Sequence, residues 1–259
     1  MSKEVHIITC GTSLLRNFAV SLSGSPLLNK YPELRDKLEN PSESEKFLRS
    51  LNNEDKMELK MEMLKYLQGD PKRASAELNS LLSYVEQIKG KRPSQLSEVV
   101  SEVHLFRSDT ESGKLASDVL SDYLNSLGVS VSVHTVKGFG SEDFSEAVRN
   151  LVRSVRDVVK RSKNVVLNLT GGFKAETAAM AVLASESDLN QYYIHESSRK
   201  VVMFPKASEL KIRMPKWEKI AGVLAALLNV PFILLSPLIE PAIKFPITTL
   251  LIYILWKKI

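Results

Sequence analysis

Residues 102–136 read EVHLFRSDTESGKLASDVLSDYLNSLGVSVSVHTV, and their order decides the fold class. The first six residues and the last eight are short, apolar and rich in Val and Phe, bounded by turn residues, which predicts strands. Between them Leu115, Val119, Leu120, Tyr123, Leu124 and Leu127 recur at three- and four-residue steps, and Gly128 follows as a stop signal. That spacing is one face of an α-helix. Strand, helix, strand in 35 residues is a βαβ unit, and it repeats. Strand-like runs lie at 4–10, 164–170, 191–196 and 201–205. A second helical pattern over 141–162 carries Phe144, Val148, Leu151, Val152, Val155, Val158 and Val159. The expected class is α/β, with a doubly wound, mostly parallel sheet covered on both faces.

One connection exceeds the roughly 30 residues of a βαβ unit. More than 80 residues separate Phe18 from Glu102, and 43–68 and 71–89 are charged and helical in pattern. They predict a helical insertion at about 26–100, packed beside the sheet. Its stripe of Met57, Met61 and Met63 reads first as packing and second as a partner surface.

The chain has 259 residues, 44% hydrophobic and 25% charged, a globular composition that excludes disorder and fibrous repeats. Cys10 is the single cysteine, so there is no intrachain disulfide framework, and a reducing compartment is the default. Met-Ser-Lys-Glu followed by a strand is no signal peptide. The net charge of +5 permits a polyanionic partner without requiring one.

The last 40 residues differ from the rest. From Ile220 on there are three basic residues (Lys244, Lys257, Lys258) and one acidic residue (Glu240), and Ile220 to Ile239 carry no charge. Twenty such residues in a helix match a hydrocarbon core of about 30 Å. Lys216, Trp217 and Lys219 stand where interfacial anchors stand. A second apolar run, Phe245 to Trp256, is short for a crossing. Three arrangements fit: one span with an interfacial second run, a hairpin kinked at Pro231, Pro237, Pro241 and Pro246, or an arm buried in a partner. Membrane association through 220–256 is favoured over the arm, with the front domain, 1–212, on the cytoplasmic side; in the hairpin the basic residues at both outer ends suit that side as well.

Two segments follow predicted strands where open α/β sheets bind ligands. In CGTSLLRNF (10–18), Gly11 permits a tight turn, Thr12 and Ser13 bring hydroxyls, and Arg16 and Asn17 add a cation and an amide. The segment reads either as a helix N-cap or as an anion site on a helix N-terminus. In LNLTGGFKAE (167–176), Thr170, Gly171, Gly172 and Phe173 form the turn, and Lys174 opens the next helix. A cation there opposes the helix dipole, which suggests an anion nearby. A tight turn is the alternative. The G-x-x-x-x-G-K-[ST] pattern is absent. Arg107, at a third strand end, could reach the same crevice, while Asp109 or Thr110 caps the helix after it. His6, His104, His134 and His195 lie in strands without metal-ligand spacing, so neither a metal nor a cofactor is expected. Cys10 reads as a small core residue.

Together, the strand–GTSLLRN–helix opening and the later strand–LTGGFK–helix resemble the ligand loops of CARF domains from type III CRISPR systems, and more narrowly the archaeal ring nuclease 1 family. The resemblance covers about residues 1–212, and the tail, 213–259, departs from it. It implies a homodimer binding cyclic tetra-adenylate through Gly11, Thr12, Arg16, Asn17, Arg107, Thr170, Gly171, Gly172 and Phe173. It also implies metal-independent cleavage of the ring, with Ser13 and Lys174 as the catalytic pair. A second possibility is a sensor that couples ring binding to the tail. No helix-turn-helix follows the sheet domain, and no R-x₄₋₆-H pair is present, so neither DNA binding nor a fused HEPN ribonuclease is expected.

Overall fold

The computed structural model describes residues 2–22, 25–139, 144–172, 174–195 and 198–209. The hydrophobic tail and Phe173 lie outside the described residues. Elements run in the order β1 (Glu4–Cys10), α1 (Ser13–Ser21), α2 (Pro26–Lys30), α3 (Leu34–Glu39), α4 (Pro41–Ser50), α5 (Asn53–Gly69), α6 (Pro71–Ala74), α7 (Ala76–Gln87) and α8 (Leu96–Val99). They continue with β2 (Val100–Ser108), α9 (Glu111–Ser126), β3 (Ser130–Val136), α10 (Phe144–Arg161), β4 (Val165–Asn168), α11 (Lys174–Glu186), β5 (Asn190–Ile194) and β6 (Val201–Phe204). Among the described residues, no helix is long and apolar enough to cross a membrane.

The six strands form one sheet in the order β3-β2-β1-β4-β5-β6. The first five are mutually parallel, and β6 returns antiparallel to β5. Alternation along the strands divides the apolar residues between two faces, as a pleat of period two requires. Ile8, Val103, Leu105, Val166 and Tyr192 join the core with residues of α1, α7 and α9. Val5, Ile7, Phe106, Val136 and Leu167 join the opposite core with Leu151, Val155 and Val158 of α10 and Met180 and Leu183 of α11. With both faces covered, the inner strands read as continuous apolar runs rather than alternating ones.

The long connection is only partly an insertion. Helix α7 packs against β1, β4, β5 and β6 and so is a sheet-covering helix, whereas α4 and α5 pack on α9. Reading 71–89 as lying beside the sheet therefore needs correction. Leu81, Leu82 and Val85 of α7 are buried in the first core, and that apolar face needs the sheet to cover it. The methionine stripe divides as well. Met63 is fully buried, while Met57 and Met61 are exposed.

Candidate functional site

In this strand order β2 and β3 lie on one side of β1, and β4 and β5 lie on the other. The order reverses between β1 and β4, and the crevice at the carboxyl ends of such strands is where α/β sheets take ligands. The turn after β1 and the turn after β4 both leave from this edge, with Ile8 opposite Asn168 in register.

The two turns touch. The Thr9 hydroxyl donates to the Gly171 carbonyl at 2.7 Å. A Cβ placed on Gly11 would stand 3.4 Å from the Gly172 nitrogen. Glycine is required at both positions of the second turn. At Gly171 a Cβ would run into the Thr9 carbonyl oxygen and come within 2.9 Å of Glu77 Oε1. Gly172 has φ +84°, in the left-handed region, and its Cβ would meet Glu176 Oε2 and, at 2.7 Å, Thr9 Oγ1. Asn168 ties the turn down: its Oδ1 accepts from the Thr170 N–H at 3.0 Å, and its Nδ2 donates to Ser80 of α7.

Helix α1 starts at this rim. Thr12 occupies the N-cap position yet makes no capping bond, and the first turn carries no acidic residue. The N-cap alternative for this segment is therefore not realised by the Thr12 side chain, and the first amides of the helix are left to other partners. Ser13 is half-buried and Arg16 is exposed. Lys174 opens α11 and is exposed, where the helix dipole favours an anion.

A third helix N-terminus, that of α7, reaches the same edge and brings Glu77, only 1% exposed. Its Oε1 accepts from the Gly11 N–H at 2.8 Å. Its Oε2 accepts from the hydroxyls of Ser75 at 2.7 Å and Ser13 at 3.1 Å. Cys10 registers the charge around it. Burial pushes its thiol well above the usual range, the carboxylates of Glu77 and Glu176 push it further, and the Arg107 guanidinium opposes them. The thiol is a core group, as its strand-end position suggested.

Arg107 lies opposite Cys10 in the register of β1 and β2. Its Nη1 donates to the Ser108 carbonyl at 3.2 Å, and its Nε is buried without a hydrogen-bond partner among the described residues. Asn17 is directed elsewhere. Its Nδ2 donates to the carbonyls of Arg73 and Ala74, and it lines a cleft of about 510 Å³ with Tyr66, Asp70 and Arg73. Thr170 Oγ1 accepts from the Ile194 N–H at 3.2 Å. The fold thus gathers Gly11, Thr12, Ser13, Thr170, Gly171, Gly172 and Lys174 at one edge and sets Arg107 on the neighbouring strand.

Thr9, Glu77, Asn168 and Glu176 went unnoticed in the sequence. Glu77 stands two residues after the α7 N-cap, Ser75. An acidic residue in a first turn is what a helix dipole favours anyway, so nothing marks it as more than helix chemistry. Of Asp109 and Thr110 it is Thr110 that caps the helix, its Oγ1 accepting from the Gly113 N–H at 3.0 Å, while Asp109 Oδ2 accepts from the Gly138 N–H at 3.3 Å. Among the described residues no cluster of three or more His, Cys, Asp or Glu is arranged to hold a metal ion.

Fold and rim together describe a mostly parallel α/β protein in which two glycine-bearing turns meet at the point where the strand order reverses. Residues 72–207, just over half of the chain, match the CRISPR-associated protein family designated Cas_APE2256, and the chain belongs to that family. The matched stretch contains Glu77, Arg107 and the second glycine turn; the first turn precedes it. Among solved structures, the chain is similar to Can2 from Sulfobacillus thermosulfidooxidans, determined in complex with cyclic tetra-adenylate. The identity is 15% and the TM-score 0.35, over 48% of this chain and 31% of that one.

Proposed function

We propose that this CRISPR-associated protein is a CARF-type ring nuclease. In this reading it binds cyclic tetra-adenylate and cuts it to linear di-adenylate with 2′,3′-cyclic phosphate ends, which switches off type III CRISPR signalling. The observation that carries the reading is the contact between the Gly11 turn and Gly172 at the β1/β4 switch point. It brings two helix N-termini and a run of backbone amides to one edge, an arrangement suited to phosphates. The ring has four phosphates and approximate twofold symmetry, so a homodimer would present the same two turns to each half.

RNA carries its own nucleophile in the 2′-hydroxyl, so cleavage needs no metal in principle. The 2′-oxygen bonds to phosphorus, the bond from phosphorus to the 5′-oxygen breaks, and a cyclic phosphate remains. Lys174 supplies positive charge where the phosphoryl oxygens gain negative charge, and Ser13 holds the reacting ribose. Gly11, Thr12, Arg16, Arg107, Thr170, Gly171, Gly172 and Phe173 line the ligand. Asn17 contributes through its remaining carbonyl oxygen. The test is incubation of the protein with labelled cyclic tetra-adenylate in EDTA. Linear di-adenylate supports the reading; a ring bound and never cut refutes the nuclease and leaves a sensor.

The sensor is the second reading, favoured by the twenty uncharged residues from Ile220 to Ile239. In it, residues 213–259 associate with a membrane, the sheet domain of residues 1–212 faces the cytoplasm, and ring binding is passed to the tail.

A further inference from the structure

The hydrogen-bond polarity around Ser13 assigns it one role toward a ligand and brings in a residue from outside both glycine turns. A serine hydroxyl has one hydrogen to donate and two lone pairs to accept with. The Ala76 N–H donates to Ser13 Oγ at 3.2 Å and takes one lone pair. The hydroxyl hydrogen goes to Glu77 Oε2, 3.1 Å away, because a carboxylate only accepts. Ser75 is arranged alike. Its Oγ accepts from the Leu78 N–H at 3.3 Å and donates to the same Oε2 at 2.7 Å. On the other oxygen, the Gly11 N–H donates at 2.8 Å. The acceptor-only carboxylate, with one backbone amide on each serine, therefore sets the direction of every bond in the cluster. Ser13 is left with a single lone pair. It can accept one hydrogen bond from a ligand and cannot donate one, which suits a ribose hydroxyl and not a phosphate oxygen.

Resting on the ring-nuclease reading above, we propose that Glu77 is the positioning residue of the cleavage step. It holds Ser13 Oγ as an acceptor for the attacking 2′-hydroxyl and takes up the proton that Ser13 relays. As the 2′-oxygen bonds to phosphorus, its proton passes to Ser13 Oγ while the Ser13 proton passes to Glu77 Oε2. The 5′-oxygen leaves phosphorus and takes a proton from water, and the resulting hydroxide removes the proton from Glu77. Atoms and charge balance, and the carboxylate is restored for the next cut. Glu77 is suited to this by its burial and its three donors, which hold it at one distance from Ser13.

Glu77→Gln tests the assignment. The Gly11 N–H needs an acceptor, so the amide oxygen takes the Oε1 place and the amide nitrogen faces Ser13 and Ser75. Ser13 must then accept from Gln and from Ala76, and its hydrogen turns toward the ligand. Single-turnover cleavage of cyclic tetra-adenylate should fall by about 10²-fold or more, the scale of general-base catalysis. Affinity for the ring should stay the same or tighten, since a negative charge near phosphates is removed. Cleavage at the wild-type rate overturns the assignment, and so does a parallel loss of binding and cleavage, which marks a purely structural role. If the variant fails to fold, the wild-type protein decides: a single-turnover rate identical in H₂O and D₂O overturns the relay. A wild-type protein that leaves the ring uncut refutes the nuclease reading itself, whereas a fully active E77Q refutes only the role of Glu77.

Discussion

Replacing Gly171 with alanine tests the contact on which the site depends. The added methyl carbon would collide with the carbonyl oxygen of Thr9 and stand 2.9 Å from Glu77 Oε1. Neither neighbour can yield easily. Thr9 lies in β1 opposite Phe106 of β2, one residue beyond the pairing with β4, and Glu77 is held by three donors. The turn after β4 must therefore lift away from the end of β1, stretching the bond from the Thr9 hydroxyl to the Gly171 carbonyl. Overpacking of this kind costs about 1–3 kcal/mol. For a domain of this size that corresponds to a fall in Tm of roughly 2–12 °C. Gly69, at the end of α5, is the control. A Cβ there meets nothing within 4 Å, and Gly69→Ala should stabilise by about 0.4–1 kcal/mol through the unfolded chain. Urea titrations of the two variants beside the wild type make the comparison. Gly171→Ala at wild-type stability or above would refute the close approach of the turns, and with it the shared edge.

Other consequences are more quickly stated. Lys174→Ala should lower cyclic tetra-adenylate cleavage by about 10²–10³-fold, the usual value of one charge-stabilising donor. Because Lys174 is exposed, the melting temperature should not move, and cleavage at the wild-type rate removes it from the mechanism. Asp55 joins α5 to α2 by accepting from Lys30 and, at 2.5 Å, from the Tyr31 hydroxyl. These bonds, Lys30 first, hold its carboxyl below the ordinary 3.8. The stabilisation is thus present above that value and lost as pH falls through the lower folded-state one. Asp55→Asn should be less stable than wild type at pH 7, with the gap closing in acid; a gap independent of pH refutes the ion pair. For the tail, the full chain should pellet with membranes and a chain ending at Met214 should not. Equal behaviour of the two ends the membrane proposal.

How far the sequence reached differs between the sheet and the site. The runs at 4–10, 102–107 and 129–136 became β1, β2 and β3 with ends displaced by no more than two residues. Their composition and bounding turns are local properties, and a strand needs little else to be recognised. The helix at 114–127 starts earlier, at Glu111, because Thr110 caps it, which hydrophobic spacing alone does not reveal. Asn17 shows the reverse case. The sequence offers it as an amide beside the first glycine turn, and α6, packed beside α1, takes its amide hydrogens.

Strand and helix periodicity, the two glycine turns and the hydroxyls and cation beside them follow from residues within a few positions of one another, so the amino-acid order determined them unaided. That the turns meet required the strand order 3-2-1-4-5-6, which sets β1 beside β4 although more than 150 residues separate their ends. The same packing carried Glu77, 64 positions beyond Ser13, into contact with it. Such pairings depend on which apolar faces cover the sheet, and the free energy of that burial is summed over the whole core. No local window of the chain contains it.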